Sequence, residues 1–552
     1  MVGCRFFTGD GEAARNLTTQ MILHIEAGAL DDSLVTVTGG VGVLVARVTG
    51  SEDLVISCDH ATEKAFVEVN TDAPVKEVGG TLSGIHSWFP DTLYYVSEDL
   101  TIPAGSELYI QAGTRIMAGN LVNFHVEGII GCFGSAEMPV YFFNSDSQSG
   151  WGGIRLTGSQ DTVYFDYTLF SGGGNDPDFV FGHSDSQPVV YSEGRAWTAV
   201  HCWWASNPGK AAGALLSAVS LNQCVFSRCD TGGEYHNSTL HASDSHFSEI
   251  PGPEGTLPDD DNDGIYLAGV RQSDDTVSTI RNCWFYLGQD DAIDHNGALV
   301  DISGCTIRQF QHEGIAASNS HTIRVSNTLI RDCEQGIEAG YGAPQVFVDH
   351  CTVVNCEIGL RFGDSYNWGC NGTLHAKNSV IYFNSDNVLN YDNLSQGPVP
   401  GAIQLSYSLL TDPDYENGTG CITATPLFDE EYYLAPGSSG KGMALDGQDM
   451  GILKVWMGYT EQPKRINGNF AVLKWLPVCN RIEINFLKPL RATVTVLAVG
   501  PMGRILNSLQ IDGSMQGNNH YLNLPDGYSG RISVSVISPE WGILTESFLK
   551  WQ

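Results

Sequence analysis

The alternation of apolar and polar positions between residues 200 and 410 repeats with a period of about 22 residues. Short β-branched or apolar segments each carry one small residue at a fixed place: Cys202, Cys224, Ser245, Cys283, Cys305, Thr328, Cys351, Ser379 and Ser408. A second segment runs in step with the first: Asp263-Gly264-Ile265, Asp291-Ala292-Ile293, Glu313-Gly314-Ile315, Gln335-Gly336-Ile337 and Ile358-Gly359-Leu360. Two strand segments per period predict stacked coils, in which strands about 4.8 Å apart bury apolar residues that a single coil would leave exposed.

The cysteines of this repeat are interpreted as core residues. The chain has 14 cysteines and no Cys-x-x-Cys pair, and a chain of this size does not need disulfides to hold its fold. Small side chains suit inward positions that stack on equivalent positions of neighbouring coils. We therefore expect buried thiols without a catalytic or metal-binding role.

Three stretches resemble right-handed parallel β-helix repeat proteins, which occur on bacterial surfaces and among pectin-degrading enzymes. Residues 80–84, 100–105 and 112–116 resemble the first coils of such proteins, and residues 426–429, 433–438 and 446–451 resemble their last coil. The repeat described above lies between them. The resemblance implies an all-β chain with a right-handed parallel β-helix over residues 79–455, flanked by a small β-sandwich at each end.

The two ends are interpreted as separate modules. Residues 1–78 are expected to form an Ig-like β-sandwich that begins within the module, which favours a truncated N-terminus. Residues 456–470 are a predicted linker. Residues 471–552 are a predicted C-terminal β-sandwich whose segments at 494–496, 503–504, 528–530 and 548–550 resemble the sorting domain of the type IX secretion system. That resemblance implies contact with the secretion machinery and a secreted or cell-surface location; a generic β-sandwich is the alternative.

Composition limits the partners. Lys and Arg number 28 against 63 Asp and Glu, so the net charge is 28 − 63 = −35. Such a charge repels phosphate backbones and anionic membranes unless a cation intervenes, and nucleic acid is not expected as a partner. No apolar run approaches the ~18 residues of a membrane-spanning helix. The opening five residues lack the features of a secretory signal, which again suggests a truncated start.

Alignment of the second segments predicts an acidic ladder on one face of the coils. Directly before the small residue stand Asp263, Asp291, Glu313, Gln335 and Ile358; one position earlier stand Asn262, Asp290, His312, Glu334 and Glu357; two positions after it stand Tyr266, Asp294, Ala316, Glu338 and Arg361. Stacked carboxylates about 5 Å apart repel one another. Some of them must take up protons, bind a cation or contact a sugar.

One interpretation of the ladder is glycoside hydrolysis, which needs one carboxyl group as acid and one as base. The segments 262–264, 290–291 and 312–314 resemble, in the same order, the Asn-Thr-Asp, Asp-Asp and Gly-His-Gly motifs of polygalacturonase-type hydrolases. The resemblance implies that Asp263 and Asp291 are catalytic with Asp290 beside them. Glu313, and not His312, aligns with the family's histidine, and no Arg-Ile-Lys follows.

Two other interpretations remain open. In a polysaccharide lyase, Asp263, Asp291, Asp294 and Glu338 would hold calcium and Arg361 would act as base. Alternatively, Asp294, Glu338 and Arg361 bind a sugar without turnover, assisted by aromatic side chains at Trp203, Trp204, Trp284, Tyr286 and Tyr341. Because the hydrolase motifs are incomplete, binding or display toward extracellular polysaccharide or a cell-surface glycan is narrowly preferred. No cofactor is expected unless calcium binds these carboxylates.

Overall fold

The structure is a computed structural model. It describes residues 72–454 except 146–148, 159–162, 253–260, 272–275 and 364–367, together with short strand segments before residue 72 and seven strands after residue 454. The linker expected at 456–470 lies outside the described residues. The chain forms two compact units, residues 1–453 and residues 454–552.

Parallel strands stacked in three ladders form most of the first unit. Sheet 1 consists of Val75–Thr81, Leu93–Ile102, Arg115–Ala118, Val140–Asn144, Thr168–Phe170, Trp203–Asn207, Val225–Cys229, His246–Ile250, Trp284–Gly288, Thr306–Phe310, Leu329–Arg331, Thr352–Val354 and Val380–Tyr382. Sheet 2 continues from the ends of the first two strands through Phe124–Val126, Ile154–Leu156, Pro188–Glu193, Lys210–Leu215, Glu234–His236, Ile265–Ala268, Ile293–Asn296, Glu313–Ser318, Gln335–Ala339, Ile358–Phe362 and Asp386–Asn390.

Sheet 3 closes each coil. Its strands are Ile85–Trp88, Glu107–Gln111, Ile129–Phe133, Val163–Asp166, Ala196–Val200, Ala218–Asn222, Thr239–Ser243, Ser278–Arg281, Val300–Ser303, Thr322–Ser326, Gln345–Asp349, Thr373–Lys377 and Ile403–Ser406. The expected parallel β-helix is confirmed. Among the described residues the only helical turn is the 3₁₀ segment Pro177–Phe179, and no helix there is long and apolar enough to cross a membrane.

The core consists of columns of equivalent side chains. Trp204, Phe226, Phe247 and Phe285 stack with successive ring centroids 4.9, 4.5 and 4.7 Å apart. These distances equal the rise from one coil to the next. The period seen in the sequence is therefore the period of the core.

The small-residue column also lies inside, so the expectation of buried thiols is confirmed for the repeat cysteines. The Cys224 backbone N–H donates to Ser245 Oγ at 3.1 Å, and the Cys351 N–H donates to Ser379 Oγ at 3.1 Å. Burial raises the pKa of Cys351 to about 12. Thiols in this column stay protonated and pack as small core groups.

Antiparallel strands form the two ends. Before residue 72 one sheet contains Val2–Arg5, Val41–Leu44, Leu34–Thr38 and Thr19–Ile22, and another contains His24–Ala27, Leu54–Ser57 and Ala65–Val67. In the second unit one sheet contains Ala471–Leu476, Arg481–Phe486 and Asn519–Asn523, and the other contains Ile505–Ile511, Val494–Val499, Gly530–Ser538 and Gly542–Lys550. The Ig-like and sorting-domain interpretations of these ends stay predictions.

Candidate functional site

Sheet 2 carries the acidic ladder on its outer face. Its outward positions run coil by coil through Tyr266, Asp294, Ala316, Glu338 and Arg361, in the register predicted from the sequence. The intervening aliphatic residues Ile293, Ile315 and Ile337 are fully buried on the inner side. Because alanine has no side chain beyond Cβ, the ladder has a notch at Ala316, with Asp294 on one side and Glu338 on the other.

The sequence-predicted residues Asp290, Asp291, His312 and Glu313 form one cluster beside this notch. His312 Nδ1 lies 3.1 Å from Asp290 Oδ1, 3.3 Å from Asp291 Oδ1 and 2.5 Å from Glu313 Oε2. Burial lowers the pKa of His312, but the three carboxylates outweigh it and hold that pKa well above its usual value. The imidazole is therefore a cation surrounded by three carboxylates, and about a third of its side chain is exposed.

Glu338 and Arg361 lie together on the other side of the notch. Arg361 Nε is 4.0 Å from Glu338 Oε1, and Arg361 Nη1 donates to Gln335 Oε1 at 3.3 Å. Gln335 in turn donates to Glu313. Burial raises the pKa of Glu338 and the negative charge of Asp291 adds to this rise, whereas a hydrogen bond with Glu313 and the charge of Arg361 oppose it. Glu338 therefore favours its protonated form more than an exposed glutamate does.

A loop that the sequence did not point to brings His183 to the same face. Its backbone N–H donates to Glu234 Oε1 at 2.9 Å, and its Nδ1 lies 3.2 Å from the same oxygen. Gly182 has φ +76°, and a Cβ there would overlap the Glu234 carboxylate. Only glycine lets the loop pass this close.

Glu234 is completely buried and ionised. Lys210 Nζ, also completely buried, binds Glu234 Oε2, and His236 Nε2 lies 2.6 Å from Oε1. Burial raises the pKa of Glu234, but His183, His236 and Lys210 outweigh that effect and hold it far below the usual range. Glu234 is thus a fixed negative charge behind His183.

Asp263 is a buried residue next to His183. Its Oδ2 is 3.5 Å from His183 Nε2. The residue has no exposed surface, and neither carboxylate oxygen receives a hydrogen bond from the part of the chain that the structure describes. Burial raises the pKa of Asp263, and the negative charges of Asp294, Asp290 and Asp291 raise it further. In this position Asp263 does not contact a glycan directly.

The four carboxylates expected to share calcium are divided among different partners. Among the described residues two sets bring ligand atoms within 4.8 Å of one another: His183, Asp263 and Asp294, and Asp290, Asp291 and His312. Glu338 lies with Arg361 instead. Of the aromatic residues considered for sugar stacking, Trp204 and Tyr286 are buried, and both belong to strands of sheet 1. These two are core residues and offer no ring for sugar stacking.

Residues 217–397 match the family model described as the right handed beta helix region. No curated protein matches. Similar solved structures include the periplasmic alginate epimerase AlgG (10% identity over 57% of this chain and 76% of that one, TM-score 0.30) and the enzymatically active domain of bacteriophage CBA120 tailspike protein 2 (12% identity, 97% and 85%, TM-score 0.32). A third is the PL6 family alginate lyase AlyGC (10% identity, 65% and 57%, TM-score 0.32). Similarity at this level leaves the chemistry to be argued from this chain's own residues.

Proposed function

We propose that this protein hydrolyses an extracellular polysaccharide at the notch over Ala316. One observation carries the proposal: Glu338 is a buried carboxyl group that favours its protonated form, and the negative charge of Asp291 contributes to that preference. Paired carboxyl groups in unlike environments are what general acid and general base catalysis of glycoside hydrolysis requires.

In this proposal Glu338 protonates the glycosidic oxygen and Asp291 activates a water molecule. The strand of Glu338 lies two coils from the strand that follows Asp291, so their backbones are separated by roughly 10 Å along the axis. The negative charge of Asp291 raises the pKa of Glu338. Carboxyl groups about 6.5–9.5 Å apart leave room for a water molecule and give inversion at the anomeric carbon, so this proposal, with its backbones two coils apart, expects inversion. Arg361 would hold the sugar beside Glu338.

Binding without turnover is the second candidate, and one observation favours it. His312 Nδ1 faces both Asp290 and Asp291, and the Glu313 backbone N–H donates to Asp291 Oδ1 at 2.8 Å. A carboxylate held by these contacts is a weaker base. The same face would then bind a glycan for adhesion, and a secreted or surface location, with the tail contacting the secretion machinery, fits either candidate.

The test is incubation of the purified protein with neutral glycans and polyuronides, with and without calcium. We expect new reducing ends, and we expect Glu338→Gln and Asp291→Asn each to lower turnover about 100-fold or more, the usual contribution of an acid or base. Asp301→Asn is the matched control, since Asp301 lies on sheet 3 and pairs with Arg324 at 3.6 Å. It should keep wild-type turnover.

Other outcomes identify the alternatives. Calcium-dependent unsaturated ends, read by ultraviolet absorbance, would replace hydrolysis by elimination. Retention of wild-type protein on immobilised glycan without any product would favour the binding protein. Full activity of both Glu338→Gln and Asp291→Asn would remove the notch from the mechanism.

A further inference from the structure

We propose that His183, Asp263 and Asp294 bind one divalent first-row transition metal ion, with zinc or manganese as the ions to test. The proposal is independent of whether the notch cleaves glycans. It rests on the orientation of His183, on the unsatisfied oxygens of Asp263 and on the distances among the three side chains.

The orientation of His183 leaves one ring nitrogen available for a metal. Nδ1 lies against the ionised Glu234, which accepts its proton, so Nε2 carries the lone pair when the imidazole is neutral. Metal-binding histidines are commonly fixed in this way by a carboxylate on the far nitrogen. Nε2 points to Asp263 Oδ2 at 3.5 Å and Asp261 Oδ1 at 3.4 Å.

The buried carboxylate of Asp263 is a second, independent observation in favour of a bound metal ion. A buried carboxylate without hydrogen bonds is costly, and native proteins almost always pair such groups. Among the described residues neither oxygen of Asp263 has a hydrogen-bond donor, and the ligand atoms of His183, Asp263 and Asp294 lie within 4.8 Å of one another. A bound cation would give these oxygens a direct partner, which His183 Nε2 at 3.5 Å does not provide by hydrogen bonding.

In the second set of ligand atoms, the two carboxylates Asp290 and Asp291 do have hydrogen-bond partners. Asp291 receives the Glu313 backbone N–H, and Glu313 receives Gln335 Nε2. His312 Nδ1 already faces three carboxylates. Because Asp290 and Asp291 already have these partners, the metal is assigned to the His183 set.

The donor types select the ion. Calcium and magnesium prefer oxygen ligands, whereas an imidazole with two carboxylates suits zinc, manganese and related ions. The partly exposed Asp261 is the nearest additional ligand residue, at 3.4 Å from His183 Nε2. Because Asp294 also borders the notch, the ion would lie beside a bound glycan.

The test is titration of chelator-stripped full-length protein with Zn²⁺, Mn²⁺ and Ca²⁺ by calorimetry, without glycan. We expect one saturable Zn²⁺ or Mn²⁺ site per chain, and Ca²⁺ binding at least 10-fold weaker. His183→Gln and Asp263→Asn should each weaken Zn²⁺ binding at least 10-fold. His241→Gln, which changes an exposed histidine bonded to Thr279 on sheet 3, is the matched control and should bind as wild type.

Two further measurements keep the result interpretable if a variant is damaged. Electron spin echo of bound Mn²⁺ should show an imidazole nitrogen that disappears in His183→Gln. Zn²⁺ should raise the melting temperature of the wild type but not of Asp263→Asn. Absence of saturable Zn²⁺ and Mn²⁺ binding, or binding that survives both substitutions, would overturn the proposal. Neither result depends on hydrolysis, because no glycan is present.

Discussion

Lys210 and Glu234 show how single residues keep charge inside this protein. Both side chains are completely buried and form an ion pair, and Glu234 also meets His183 and His236. A buried pair of this kind contributes little net stability compared with apolar residues, but removal of one partner leaves an uncompensated charge. We infer that the ion pair keeps Glu234 negatively charged, and that the orientation of His183 depends on this charge.

We predict that Lys210→Met lowers the free energy of unfolding by about 3 kcal/mol, since it leaves Glu234 buried with one fewer cation. Arg324→Met is the control: Arg324 is 58% exposed and 3.6 Å from Asp301, and such pairs contribute about 0–1 kcal/mol. Urea unfolding measures both. Equal losses of unfolding free energy in the two variants would mean that the buried ion pair contributes no more than an exposed one.

Arg361 should set the pH range of activity through Glu338. Activity requires Glu338 protonated, so it falls as pH rises through the pKa of Glu338, which lies above the ordinary glutamate value. Arg361 opposes that rise by favouring the carboxylate. Arg361→Met should therefore move the alkaline limb of kcat/KM to higher pH. A limb that stays in place, or moves to lower pH, would exclude Glu338 as the acid.

At the scale of strands and coils, the register of sheet 2 was predictable because each second segment repeats the same side-chain order. That order correctly aligned Tyr266 with Asp294 and Glu338 with Arg361. Glu234 also had a signal, since Gly232-Gly233-Glu234 stands one coil earlier and Glu234 pairs with Tyr266. No sequence signal pointed to His183, because the loop that carries it interrupts the repeat and the position of this loop depends on Gly182 and Glu234.

The small-residue column predicts unequal effects of two substitutions at Cys351. Cys351→Ser should change the free energy of unfolding by about 1 kcal/mol or less, because Ser379 in the same column donates to the Lys377 carbonyl at 2.7 Å and accepts the Cys351 N–H. Cys351→Leu should cost about 1–3 kcal/mol, since a tightly packed column has no room for a branched side chain. Thermal melts of the two variants provide the comparison; a larger loss for serine would contradict the core interpretation.

At the scale of the whole molecule, the residues that stabilise the solenoid face inward, and the residues of the candidate site face outward. Inward columns such as the Trp204–Phe285 stack repeat from coil to coil, whereas the outward ladder changes residue at every coil. The fold could be predicted because the inward columns follow the period. Site residues could be predicted only where they occupy repeat positions. Contacts made by a loop residue, such as His183, do not follow the repeat and could not be predicted.

The net charge of −35 should influence the affinity of the protein for a charged polymer. Screening extends about 30 Å at 0.01 M salt and about 8 Å at 0.15 M, so repulsion of a polyuronide is strongest at low ionic strength. We predict that affinity for a polyuronide rises between these salt concentrations, while affinity for the same polymer with its carboxyl groups methyl-esterified changes little. Equilibrium binding to both polymers measures this. Affinity that falls with salt would mean that a local cation, such as Arg361 or a bound metal ion, dominates over the charge of the whole chain.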